Sequence, residues 1–297
     1  MAHLQNTMTT FNFKSRFKAF LVHLIFSCVI ALFSLWVIFS LWYPGIFADA
    51  LGGFKLFFLV VGCDVVVGPT LMFVIFNTKK PRAELVRDIS IIALFQLIAL
   101  GYGMHVVAES RPVYAVFVKD QIEVVTAIEL DDKSFEGLTE KTEPYKKLPW
   151  TGIRYVSINR PESAEERSEV LLSSVFEGRD YPLWLRYYQP YEAATDAIIA
   201  AIKPLDEFQR AVDNLPHEKQ LFDNAVAATQ LPPDRLGWLL VKHRFGFCTA
   251  LMDKQTGKVA TYVLLDAYDL IEKQHGAPVK DEPKEEPQDK PQDKPQP

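Results

Sequence analysis

The chain has 297 residues, of which 49% are hydrophobic and 23% charged, with a net charge of −5 at pH 7. That length is enough for two domains, and nearly every apolar run longer than a dozen residues lies before Val107, with most charges, prolines and short strand-like runs after it. The division argues against one uniform soluble domain and predicts a membrane anchor followed by a water-soluble unit.

Three segments, 20–42, 54–76 and 89–107, reach the roughly 20 apolar residues that a helix needs to cross a hydrocarbon core about 30 Å thick. The first has no charged side chain and ends in Trp42 and Tyr43, rings suited to the headgroup zone. It is too long for a signal-peptide core and lacks a small-residue cleavage site, so it is expected to be retained. Lys14, Arg16 and Lys18 precede it, and Lys79, Lys80, Arg82 and Arg87 lie around the start of the third, whereas 44–53 has neither lysine nor arginine. Positive loops stay in the cytoplasm, which predicts the order in, out, in, out, and an exported domain after Glu109. The expected divisions are a cytoplasmic arm at 1–19, a three-helix membrane region at 20–108, a periplasmic α+β domain at 109–276 and a tail at 277–297.

The exported part opens with two β-rich runs, 113–118 and 122–128, around a polar turn, which read as a hairpin starting at the membrane. Pro144, Pro149 and Pro161 break a polar middle stretch around a short run at 153–158. Ala194, Ile198, Ile202, Leu205, Phe208 and Val212 have helical spacing over 191–214, with Pro204 kinking that helix or starting a new one. A helix is expected over 217–229 before Pro232 and Pro233, and a second hairpin pairs 246–252 with 258–265 around a turn at 253–257. Strands, then helices, then strands give a compact α+β domain of about 160 residues. The tail repeats Pro-Gln-Asp-Lys, cannot bury a core and is expected to be disordered and Pro-rich.

Cys28 and Cys63 fall in the first two membrane segments and Cys248 in the domain, so no disulfide framework is available there, and Cys248 reads as a small core residue. His217, His243 and His275 are scattered, and neither a phosphate loop nor a serine elbow is present. No enzyme activity, cofactor, metal or nucleic-acid partner is expected.

The most specific constellation lies in the second membrane segment. Asp64 sits near its middle, where a carboxyl costs roughly 2.5–3.5 kcal/mol on insertion scales and needs a partner or a proton. Gly62 and Gly68 permit close helix approach, and Pro69 frees the carbonyl of Val65. Gly68 shares a helix face with Asp64, being four residues on. Two outcomes are open: Asp64 bonds within the bundle, to Gln96, His23 or a backbone group, or it meets a helix from outside.

The runs Gly62-Cys-Asp64, Gly68-Pro-Thr-Leu, Val74-Ile-Phe-Asn77 and Lys80-Pro-Arg-Ala-Glu-Leu resemble the type IV pilin accessory proteins of the TfpX/TfpZ family. So do Ser15-Arg-Phe-Lys-Ala-Phe-Leu-Val-His23, Trp42-Tyr-Pro-Gly45, Arg111-Pro-Val-Tyr-Ala-Val-Phe, Leu148-Pro-Trp-Thr-Gly152, Pro161-Glu-Ser-Ala-Glu-Glu-Arg167 and Arg186-Tyr-Tyr-Gln-Pro-Tyr191. The resemblance implies an inner-membrane chaperone that binds a major type IV pilin before assembly. Asp64, Gly68 and Pro69 are then the expected contact with the pilin helix, and Asp131, Asp132 and Glu136 candidates for selecting its head. A membrane-anchored periplasmic ligand sensor is the alternative, and the oligomeric state is left open.

Overall fold

The computed structural model describes residues 13–275. The first twelve residues of the expected arm and the expected disordered tail at 277–297 lie outside the described residues.

Three helices are long and apolar enough, by length and composition, to cross a membrane: Phe13–Trp42, Gly53–Ile75 and Arg82–Glu109. The first comprises α1, Phe13–Val37, and a wider π turn, Ile38–Trp42; the others are α3 and α4, and a short helix α2, Phe47–Ala50, lies between α1 and α3. Two helices start earlier than apolar runs alone predict, at 13 rather than 20 and at 82 rather than 89. In each case the charged first turns find partners. Arg16 Nη1 donates to the end carbonyls of α3, Val74 O at 2.8 Å and Phe73 O at 3.3 Å, where unsatisfied carbonyls carry the negative end of the helix dipole. Lys80 Nζ bonds Asp88 Oδ2 at 2.7 Å and Arg87 lies 3.3 Å from Asp88 Oδ1, so α4 runs on through its charges.

The rest of the chain is built on one mixed sheet of eight strands among the described residues: β1 Pro112–Val118, β2 Gln121–Thr126, β3 Arg154–Ile158, β4 Tyr188–Pro190, β5 Lys203–Pro204, β6 Leu236–His243, β7 Gly246–Asp253 and β8 Val259–Val263. Their order is β4-β3-β1-β2-β6-β7-β8, with β5 against β6. β1 pairs β3 and β2 pairs β6 in parallel, and the remaining pairs are antiparallel. Around the sheet stand α5 Ala164–Glu177, α6 Thr195–Ala201, α7 Leu205–Val212, α8 Pro216–Thr229 and α9 Ala267–Gln274.

Both expected hairpins form, as β1–β2 and β7–β8. The helical spacing over 191–214 does not give one helix: α6 ends at Ala201, the chain extends through β5, and α7 follows. Pro204 cannot donate within a helix, and here its carbonyl accepts from Trp238 Nε1 at 3.0 Å. The central strand β6 went unpredicted. Its first six residues are buried, and a strand covered on both faces is an unbroken apolar run without alternation. Helix α5 lies just beyond the proline-broken stretch, where no element was expected. Ser163 caps it by accepting from Glu166 N–H at 3.1 Å, and Gly178 ends it at φ +68°.

The sheet curls. β3 and β8 are separated by four strands, about 24 Å across a flat sheet, yet the hydroxyls of Tyr155 and Tyr262 are 2.6 Å apart. The concave face carries Phe117, Ile122, Leu239, Val241, Cys248, Ala250 and Met252, in one continuous core with Tyr43, Phe47 and Leu51 of the α1–α3 connection. Phe47 meets the Tyr262 ring at 5.0 Å, and burying such a ring contributes about 1.5–3 kcal/mol. On the convex side, Phe208, Phe222 and Trp238 form a core with α7, α8 and α9, and Tyr114, Tyr145 and Tyr188 form another beside β1 and β3.

Candidate functional site

Helix α3 packs against both α1 and α4. The outer two leave an open groove of about 690 Å³ lined by all three, with Val22, Phe26 and Ile30 of α1 on one wall and Ile89, Ala93 and Leu97 of α4 on the other. Against these apolar walls the polar groups are few: Ser15, Lys18, His23 and Ser27 from α1, Asp64 from α3, Thr78 from the turn after it and Gln96 from α4.

Asp64 is half-buried in this groove. Gln96 Nε2 donates to Asp64 Oδ1 at 2.7 Å and to the Asp64 carbonyl at 3.3 Å, and Ser27 Oγ donates to the same carbonyl at 3.5 Å. One amide thereby ties the side chain and backbone of α3 to α4. A carboxylate accepts at two oxygens, so after Gln96 has taken Oδ1 there is capacity for a donor arriving through the groove. Gly68 lies beneath this contact. A Cβ there would stand 2.0 Å from Gln96 Nε2 and 2.6 Å from His23 Nε2, so the glycine makes room for the polar cluster. Gly68 and Pro69 are buried and do not line the groove. Of the three residues expected to contact a pilin helix, Asp64 lines the groove. Ser27 was not singled out from the sequence, since a lone serine in an apolar helix gives no signal by type.

Of the three acidic residues proposed for partner selection, Asp131 is engaged internally. It accepts from Ser134 N–H at 3.1 Å, capping the turn that follows, and pairs with the buried Arg179. Burial raises its carboxyl, but Ser134 and Arg179 outweigh that and hold it below the usual range. All three, Asp131 included, are exposed.

Residues 11–52 match the family description of the fimbrial assembly protein FimB. Two fimbrial assembly proteins of Dichelobacter nodosus, of serogroups E1 and I, are each 30% identical over 250 residues, covering 84% of this chain and 95% of theirs. The chain belongs to the fimbrial assembly protein family. A further relative, of serogroups C1 and C2 of the same organism, is 39% identical over 105 residues, 35% of this chain and 80% of its own. No solved structure matches the chain. In this fimbrial assembly protein the stretch matched to FimB comprises α1 and the connection as far as Gly52. It therefore supplies one wall of the groove, through Lys18, His23 and Ser27, and the side chains that fill the concave face of the sheet.

Proposed function

We infer that this protein is an inner-membrane, pilin-specific chaperone of the TfpX/TfpZ type, holding a major type IV pilin before its assembly. The observation that carries the reading is the apolar groove with the Asp64–Gln96 pair on its floor, in a member of a fimbrial assembly family. A pilin waiting in the membrane is a single apolar helix with a charged amino terminus beside a buried carboxyl. An apolar wall on each side accepts such a helix, and one hydrogen-bonding group at mid-bilayer fixes its register. The protein acts by binding, without catalysis. Its amino terminus is cytoplasmic and its α+β domain periplasmic, where it faces the pilin head.

Alkaline phosphatase fused after Glu109 is active and fused after Arg82 inactive if the orientation is right. For the site, a photo-crosslinking residue at Leu97, on the groove wall, captures the pilin, whereas one at Phe95, 69% exposed on the same helix, captures lipid. Deletion lowers pilin abundance with an unchanged transcript. Normal pilin abundance and lipid-only capture from Leu97 would remove the chaperone reading.

A further inference from the structure

The two ends of the curled sheet differ in chemistry. At the end remote from the long helices the turns are polar: Lys119 and Asp120 join β1 to β2, and Asp253-Lys-Gln-Thr-Gly257 joins β7 to β8. The other end adjoins the helices. Ala127 N–H donates to Arg111 O at 3.0 Å just past α4, and Gly152 N–H donates to Leu41 O at 2.9 Å. Trp150 meets Trp42, the last residue of the first long helix, at 5.7 Å. At this end large apolar side chains stand in the open: Ile128 is 50% exposed, Trp150 62% and Phe245 68%.

The strand register places the β6–β7 turn on this rim. β6 runs parallel to β2 with Lys242 opposite Glu123, and β2 ends at Thr126, opposite Pro112 at the start of β1. Arg244 and Phe245, between the paired His243 and Gly246, therefore project at the level of Thr126, where the chain enters the sheet from α4. Lys242 is paired with Glu123 at 3.0 Å, whereas Arg244 makes no salt bridge among the described residues. Its guanidinium carbon lies 5.9 Å from the Phe245 ring centroid. A basic group beside an aromatic ring at the tip of a turn suits the boundary between anionic headgroups and acyl chains.

We propose that the exported domain rests on the bilayer through this rim, with Phe245 and Ile128 in the headgroup layer and Arg244 on lipid phosphate. The occupant is the lipid surface because the rim is continuous with the ends of the helices through Trp42 and Trp150, while the opposite end of the same sheet is polar. The contact holds the domain at a fixed angle over the groove and so sets where a bound partner's head lies. The proposal rests on the long helices crossing the membrane and is independent of pilin binding.

The test uses the full chain in vesicles of phosphatidylethanolamine and phosphatidylglycerol. Cys28 and Cys63 are replaced by alanine, and Cys248 is kept because it is fully buried. An environment-sensitive fluorophore is placed singly by Phe245→Cys, Ile128→Cys, Asp120→Cys at the polar end, or Leu32→Cys on α1. Quenching by lipids carrying a doxyl group near the headgroup is expected to be several-fold stronger at 245 and 128 than at 120, and Arg244→Glu moves the 245 signal toward that of 120. If 245 and 128 both behave like 120 while 32 is quenched by lipids carrying the doxyl group deep in the acyl chain, the domain stands clear of the bilayer and the proposal is wrong. If 32 is unquenched too, the membrane reading itself falls and takes the proposal with it.

Discussion

Asp253 shows how one buried charge holds a turn. Its carboxylate receives Arg235 Nη2 at 2.6 Å and Nε at 3.3 Å, Gln255 N–H at 3.0 Å and Thr256 Oγ1 at 2.9 Å, fastening the β7–β8 turn to the start of β6. Burial raises the carboxyl, but the arginine and the turn donors outweigh it and leave it below the ordinary carboxylate range. A depressed folded value contributes stability above the unfolded value of about 3.9, and that contribution is lost as pH falls through the folded value. Asp253→Asn is therefore expected to cost about 1.5 kcal/mol at pH 7 and much less near pH 3, read from thermal melts in detergent. A constant difference across that range would show that the charge is not the cause. Cys248 behaves oppositely, since burial pushes its thiol up to about 12, and the thiolate is the reactive form. Iodoacetamide at pH 8 should leave it unmodified in the native chain and label it after unfolding, as mass spectrometry would show.

At the scale of elements, the polar contact across α3 and α4 is a case where removing one partner is worse than removing both. Gln96→Leu leaves the Asp64 carboxyl without its donor in apolar surroundings, whereas the double change to leucine removes the demand. The single variant is expected to be less stable than the double by about 1–2 kcal/mol, by melting in detergent. The opposite ranking would mean that water or another donor satisfies Asp64. Much of this was legible beforehand, because a carboxyl in an apolar helix must be answered and Gln96 was one of the few available answers. The groove was not legible, since no periodicity reveals whether α1 and α4 close over α3. Strand β6 was hidden by its own burial, which erases the alternation that marks a half-exposed strand. Helix α5 had a signal that composition obscured: Ser163 followed three residues later by Glu166 is the start of a capping box.

At the scale of the whole molecule, dividing the chain at residue 109 separates what the fold joins. Read by hydropathy, 43–52 is a short connection between two membrane segments. Folded, it places Tyr43, Phe47 and Leu51, all 3% exposed or less, in the same core as the concave face of the sheet. Tyr43 Oη also donates to Val107 O at 3.1 Å, tying the connection to the end of α4. A chain cut to 109–275 would leave Phe117, Ile122, Leu239 and Met252 facing solvent where these side chains belong. Such a fragment is expected to keep its far-ultraviolet dichroism, lose the near-ultraviolet aromatic signal and bind a hydrophobic dye, the marks of a compact state without fixed packing. In the full chain, Phe47→Ala is expected to cost about 3–5 kcal/mol, although residue 47 lies outside the domain by sequence. Cooperative folding of 109–275 with the aromatic signal of the whole protein would show that the sheet closes its own core. Failure of the fragment, together with loss of domain stability in Phe47→Ala, would mean that the long helices and the α+β domain fold as one unit. Any partner helix that shifts α1 then moves the domain through the same packed side chains.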